Sequence, residues 1–124
     1  MALAQQRVAL ANGIELDVVD EGPRDATPVL MMHGEPSWSY LYRHMIGPCV
    51  RAGLRVVVPD LIGFGLSEKP QDPRDYSIEG HIDDVSALIE ELDLRDLTLV
   101  MQDWGGPIGM GVVLRHPERV RALV

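Results

Sequence analysis

Asp103 is the residue of this chain best placed for covalent chemistry. It stands between the apolar run Leu97-Thr98-Leu99-Val100-Met101 and the glycine-rich stretch Gly105-Gly106-Pro107-Ile108-Gly109-Met110-Gly111. That is the strand-turn-helix setting that lifts a nucleophile out of a sheet edge. A carboxylate fixed against an electrophilic carbon and partly stripped of water displaces a leaving group and forms an ester. This segment alone supports a second reading equally: an Asp ahead of a Gly-Pro helix start makes a good N-cap. Trp104 follows, and its indole N–H needs an acceptor when buried. Beside a reacting carboxylate, that donor would hold a departing anion.

The second constellation is His33-Gly34-Glu35-Pro36-Ser37-Trp38-Ser39-Tyr40-Leu41-Tyr42-Arg43, which follows another apolar run. In open parallel sheets ligands bind outside the carboxyl ends of the strands, so the two loops converge on one crevice. There the backbone N–H groups of Glu35 and Trp104 would together form an oxyanion hole. Glu35 acts in this reading through its amide, with its side chain in solvent. His33, directly after a strand, is read as fixing its loop rather than as a general base. His44, His81 and His116 fall in helical segments, and none has metal-ligand spacing to a second His, Cys or acidic partner. No metal site is expected. Gly63-x-Gly65-x-x-Glu68 lacks the third glycine of a dinucleotide loop and does not open a helix promptly, so it reads as a loop of tight turns bordering the pocket.

The elements that must position these residues follow from hydrophobic periodicity. Arg7–Leu10 and Ile14–Val19 are short strands joined through Asn12-Gly13, a strong hairpin signal. Pro28–Met32 and Val56–Asp60 read as strands covered on both faces, and Leu97–Gln102 as the next strand. Tyr40, Leu41, Met45, Ile46 and Val50 recur at helical spacing, with Gly47-Pro48 expected to bend or break that helix. Ile82, Val85, Leu88, Ile89 and Leu92 form a helical stripe, with Ser77 as N-cap and Glu79 in the first turn. Asp83, Asp84, Glu90 and Glu91 lie off the stripe and read as a solvated face. Gly106–Arg115 is the last helix, and Arg121–Val124 looks like a strand at its start. Alternating strands and helices from Pro28 onward give an α/β class with a parallel sheet and helices on both faces.

Composition limits the partners. The 124 residues, 46% apolar and 24% charged, suit one folded domain, and the net charge of −8 with eleven scattered basic residues disfavours nucleic acid and anionic membranes. No run reaches membrane-spanning length, and the first residues, Met1 to Arg7, lack a leader, so the chain reads as cytoplasmic. Cys49 is expected to be a buried thiol.

Taken together, His33-Gly34-Glu35-Pro36-Ser37-Trp38-Ser39-Tyr40-Leu41-Tyr42-Arg43, Pro59-Asp60-Leu61-Ile62-Gly63-Phe64-Gly65-Leu66-Ser67-Glu68-Lys69-Pro70 and Gln102-Asp103-Trp104-Gly105-Gly106 resemble the haloalkane dehalogenases of the α/β-hydrolase fold. The similarity runs across nearly the whole chain in that family's order and spacing. It implies that Asp103 displaces halide from carbon and forms an alkyl ester. It implies that the Trp104 indole stabilises the halide, and that the Glu35 and Trp104 amides hold the oxyanion when water attacks the ester. The implied partners are a small halogenated substrate and water, with no metal or organic cofactor. The family's helical cap, its base histidine and its acid partner lie beyond its sixth strand. By that comparison residues 1–124 form a partial α/β-hydrolase core domain, truncated within the sixth strand, with the cap domain and C-terminal strands absent. Turnover by these residues alone is not expected.

Two other readings stand beside this one. Epoxide hydrolases of the same fold also use Asp followed by Trp-Gly-Gly, but usually with His where this chain has Gln102. A non-catalytic remnant or partner-binding fragment would expose an unpaired sheet edge and be marginally stable.

Overall fold

The computed structural model describes residues 5–124. The expectation about a leader falls in part on residues 1–4, which lie outside the described residues. Asn12 and Gly13 turn strand β1 (Gln5–Ala9) back on β2 (Glu15–Glu21) as an antiparallel hairpin, with Gln5 opposite Val19 and Ala9 opposite Glu15. Strands β3 (Pro28–Met32), β4 (Arg55–Pro59), β5 (Leu97–Met101) and β6 (Val120–Leu123) complete one six-stranded sheet of order β1-β2-β4-β3-β5-β6. β4, β3, β5 and β6 run parallel, and β2 joins β4 antiparallel.

Side-chain alternation divides the core between the two faces. Leu30 and Met32 of β3 pack with Val57 of β4 against helices α2 (Ile78–Glu91) and α3 (Gly105–Arg115), through Val85, Leu88, Ile89, Ile108 and Val112. Val29 and Met31 face the other way with Val56 and Val58, onto Ile46 of α1 (Arg43–Arg51) and Tyr42 before it. The chain leaves β3 for β4 through α1, then crosses back through α2 to β5 on the other flank of β3. The carboxyl end of β3 is therefore the point where strand order reverses, where α/β sheets open a crevice.

Several expectations need correction. α1 runs on through Pro48 to Arg51, so of the bend or break expected at Gly47-Pro48 the break is not made, and Pro48 lacks the N–H that would continue the helical bonding. Tyr40 and Leu41 belong to a 3-10 turn (Ser39–Tyr42) ahead of α1, and Tyr40, Leu41 and Met45 are exposed. There Trp38 stacks on Tyr40 at 5.6 Å and the Arg43 guanidinium lies 4.1 Å from the Tyr40 ring centre. Cys49 is half-buried at the edge of the α1 cluster rather than sealed within it.

Asp84 is the larger correction, since it is buried and not part of a solvated face. The β1–β2 turn covers that flank of α2, and the Asn12 side-chain amide donates to Asp84 Oδ1 at 2.8 Å. Burial raises the Asp84 carboxyl pKa, partly offset by the Asn12 bond, with Asp83 and Glu68 pushing it further up. Ser77 does cap α2, its Oγ accepting the Gly80 N–H at 2.9 Å.

Candidate active site

Sheet register builds the site. β3 and β5 are parallel neighbours with Met32 opposite Met101, so His33-Gly34-Glu35 and Gln102-Asp103-Trp104 leave the sheet side by side. Asp103 sits at φ +56°, a left-handed conformation uncommon for a residue with a side chain. Bonds from Gly105 N–H to the Gln102 carbonyl (2.9 Å) and from Gly106 N–H to the Asp103 carbonyl (3.0 Å) close the turn into α3. Trp104, not Asp103, is the residue at the N-cap, and no side chain caps this helix. The helix-cap reading of Asp103 is thereby overturned. Its carboxylate turns instead to the β3 loop, where Oδ2 accepts the Glu35 N–H at 3.0 Å.

That approach depends on Gly34. A Cβ there would lie 2.6 Å from Asp103 Oδ2 and 2.8 Å from the Gln102 carbonyl oxygen, too close for any side chain. The Gly34 N–H is itself held by Gln102 Oε1 at 3.2 Å. The bulk of Met101, two positions before Asp103, is accommodated where α3 crosses it. A Cβ on Gly109 would sit 3.0 Å from Met101 Cγ and 2.8 Å from Met32 Cε, so glycine leaves room for both methionines. The Asp103 side chain is exposed, and the Glu35 amide, followed by that of Trp104, holds its carboxyl pKa below the usual value of 3.8. It is ionised at neutral pH.

His33 fixes the loops around this turn. It is fully buried, with Nδ1 2.8 Å from the Gly34 carbonyl and Nε2 accepting the Leu61 N–H at 3.0 Å. Since Nε2 accepts, the neutral ring carries its proton on Nδ1 and donates it to Gly34. Burial lowers the His33 pKa, with the Gly34 bond and Asp60 opposing. Phe64 meets the ring edge-on at 5.3 Å. Of the other histidines, His44 is exposed on α1, while His116 lies 3.3 Å from Glu90 and 3.6 Å from Glu118 at the end of α3.

Asp60, placed by sequence only as a strand end, is a fully buried carboxylate that accepts the Ser39 N–H at 2.7 Å and the Leu66 N–H at 3.0 Å. It ties the segment after Glu35 to the loop after β4. The Ser67 hydroxyl donates to the Asp60 carbonyl at 2.5 Å and accepts the Asp17 N–H at 2.8 Å, extending the brace to β2. The cue in the sequence was an Asp ending an all-apolar strand, since a carboxylate buried there must find donors.

A cavity of about 450 Å³ opens beside Asp103, with Glu35, Trp104, Ile108, Phe64, Tyr76 and His81 in its wall. The Gly63 turn borders it, as the glycine spacing led us to expect. Its apolar surfaces and few polar groups suit a small, mostly apolar ligand. The Tyr76 hydroxyl is engaged, donating to the Pro70 carbonyl at 2.8 Å. His81 was set aside on sequence, yet the helical stripe signalled its position: it precedes Val85 by four residues and Leu88 by seven. Among the described residues no group of three His, Cys, Asp or Glu side chains is arranged to hold a metal ion, and no helix is long and apolar enough to cross a membrane.

Comparison with known proteins agrees with this architecture. The chain is 50% identical over 111 residues to a haloalkane dehalogenase of Mycolicibacterium paratuberculosis (strain ATCC BAA-968 / K-10), covering 90% of this chain and 37% of that protein. A tetrameric haloalkane dehalogenase from Paraglaciecola agarilytica NO2 superposes with a TM-score of 0.93 at 40% identity, over 99% of this chain and 42% of that one. An epoxide hydrolase structure of the α/β-hydrolase superfamily, from metagenomes of hot environments, superposes with a TM-score of 0.91 at 40% identity, over 99% of this chain and 41% of that one. The chain thus spans about two fifths of the length of these relatives. The family model for the alpha/beta hydrolase fold matches residues 27–124, and with the sheet order, the left-handed turn at Asp103 and these similarities it places the chain in the α/β-hydrolase family.

Proposed function

We propose that these residues carry the ester-forming half of a hydrolytic dehalogenation, with Asp103 as nucleophile. The observation that carries the reading is the Glu35 N–H bond to Asp103 Oδ2, made at a left-handed turn beside a largely apolar cavity. One oxygen is held, and the carboxylate is oriented with Oδ1 available for attack. Oδ1 forms a bond to the halogen-bearing carbon as the carbon–halogen bond breaks, and the electron pair leaves with the halide. The indole N–H of Trp104, a residue of the cavity wall, would stabilise that anion. Oδ2 becomes the ester carbonyl oxygen. When water adds to the ester carbon, Oδ2 takes up the negative charge and the Glu35 and Trp104 amides stabilise it.

Hydrolysis of the ester needs a base to accept a proton from that water. His33 does not serve, because both its ring nitrogens are engaged. The relatives named as haloalkane dehalogenases support the halide reading.

Similarity to an epoxide hydrolase structure favours a second reading, in which Asp103 opens an epoxide. That reaction leaves an alkoxide that must be protonated, whereas a halide needs only N–H donors. The one phenol in the cavity wall, Tyr76, already donates to Pro70. Incubation with 1-bromohexane and, separately, 1,2-epoxyhexane tests the choice by intact mass and ion chromatography. A hexyl adduct with one equivalent of bromide supports dehalogenation. A hydroxyhexyl adduct from the epoxide alone overturns it.

A further inference from the structure

The His81 imidazole is half-buried in the cavity wall, and its Nδ1 is one of three fully buried side-chain atoms without a hydrogen-bond partner among the described residues. Buried polar atoms are nearly always paired, so this orphan constrains the ring. A stranded N–H is rarer and more costly than an unused lone pair. Nδ1 therefore carries the lone pair, and the proton resides on Nε2. Burial, and next the neighbouring His33, lower the His81 pKa below 6.5, so the ring is neutral at neutral pH. Nε2 is not among the buried unpartnered atoms and makes no hydrogen bond among the described residues, which leaves its N–H free for a ligand of the cavity that His81 lines.

The first turn of α2 fixes that presentation. Ser77 Oγ caps the helix at Gly80, and the His81 N–H donates to the Ser77 carbonyl at 3.0 Å. The side chain then projects from the same stripe as Val85 and Leu88, whose burial against the sheet holds the helix in place.

We propose that His81 is a specificity-determining donor of the cavity, its neutral Nε2–H bonding the departing halide alongside the Trp104 indole. The proposal rests on the halide-displacing reading of Asp103. As the carbon–halogen bond breaks, charge builds on the halogen and the N–H bond to it strengthens, which favours the transition state over the bound substrate. The gain is largest for chloride, the strongest acceptor of the heavier halides, and smallest for iodide.

Two measurements on the full 124-residue chain test this. The first is a two-dimensional proton–nitrogen spectrum of histidine-labelled protein, titrated with sodium bromide against sodium sulfate at matched ionic strength. The expected result is the Nε2–H form of His81 and a saturable shift of that nitrogen with bromide alone. The Nδ1–H form, or no bromide-specific shift, overturns the proposal. The second is the single-turnover rate of Asp103 alkylation by 1-chloro-, 1-bromo- and 1-iodohexane. His81→Phe is expected to slow the chloride substrate about tenfold and the iodide substrate less, and His81→Gln to recover part of the loss. Equal slowing with all three halides, as from a merely structural role, overturns it, as does no slowing. Absence of alkylation in the unsubstituted chain refutes the Asp103 reading instead, and the bromide titration, which needs no substituted protein, still decides His81.

Discussion

Gly34→Ala tests the geometry of the site at its closest contact. The added methyl would lie 2.6 Å from Asp103 Oδ2 and 2.8 Å from the Gln102 carbonyl, roughly 1 Å inside normal non-bonded contact. Gly34 is not in the left-handed region, so the effect is steric and not a backbone penalty. The two obstructing groups belong to the turn that links β5 to α3, which has little freedom to retreat. Overpacking of this kind costs about 1–3 kcal/mol of stability. If the β3 loop yields instead, the Glu35 N–H moves off Asp103 by a similar distance. Misplacement of about 1 Å at a reacting centre costs on the order of 100-fold in rate. The assay pairs urea denaturation with the rate of Asp103 alkylation by 1-bromohexane. Gly106→Ala is the control, because nothing lies within 4 Å of a Cβ built there and alanine favours the helix. The reasoning is refuted if Gly34→Ala keeps both stability and rate, or if Gly106→Ala loses as much.

Three further outcomes follow from the same structure. Asp103 should remain ionised as pH falls past 3.8, because its folded pKa is depressed by the Glu35 and then the Trp104 amide. The stabilisation from those bonds is present above the unfolded pKa and is lost as pH falls through the lower folded one. A carboxyl-carbon NMR titration of Asp103 with a midpoint at or above 3.8 would contradict this. Asp20→Ala should destabilise the protein strongly, since Arg55 is buried and donates to Asp20 through Nε at 2.9 Å and Nη2 at 2.7 Å. Stranding that guanidinium costs about 3–5 kcal/mol against a typical domain stability of about 5–15 kcal/mol. A circular-dichroism urea melt that moves by under about 1 kcal/mol would refute it. Ser77→Ala should cost about 1 kcal/mol by removing the cap of α2, read from the denaturation midpoint. No change would show that the Gly80 N–H finds water at no cost.

Much of the frame is legible in the sequence because it is periodic. Pro28–Met32 is apolar at every position, and a strand covered on both faces demands that pattern. What escaped reading depends on contacts between distant residues. Asp84 lies at the margin of its helical stripe, and only the hairpin turn carrying Asn12, 72 residues away, decides that this margin is buried. The exposed Tyr40, Leu41 and Met45 show the reverse error, since helical spacing does not reveal which side of a helix end meets the sheet. At the site, the position of Asp103 between strand and helix is legible, but that segment alone supports a nucleophile and a helix cap equally. Its left-handed backbone and its bond to Glu35 are set by the Met32–Met101 register, which no local pattern encodes.

The central claim is that Asp103 accepts an alkyl group from a haloalkane, and peptide mass mapping after exposure to 1-bromohexane tests it most directly. The account predicts one hexyl group on the peptide containing Asp103, matched by one equivalent of bromide and absent in Asp103→Asn. An unmodified Asp103 peptide, or the same adduct persisting in Asp103→Asn, would contradict it.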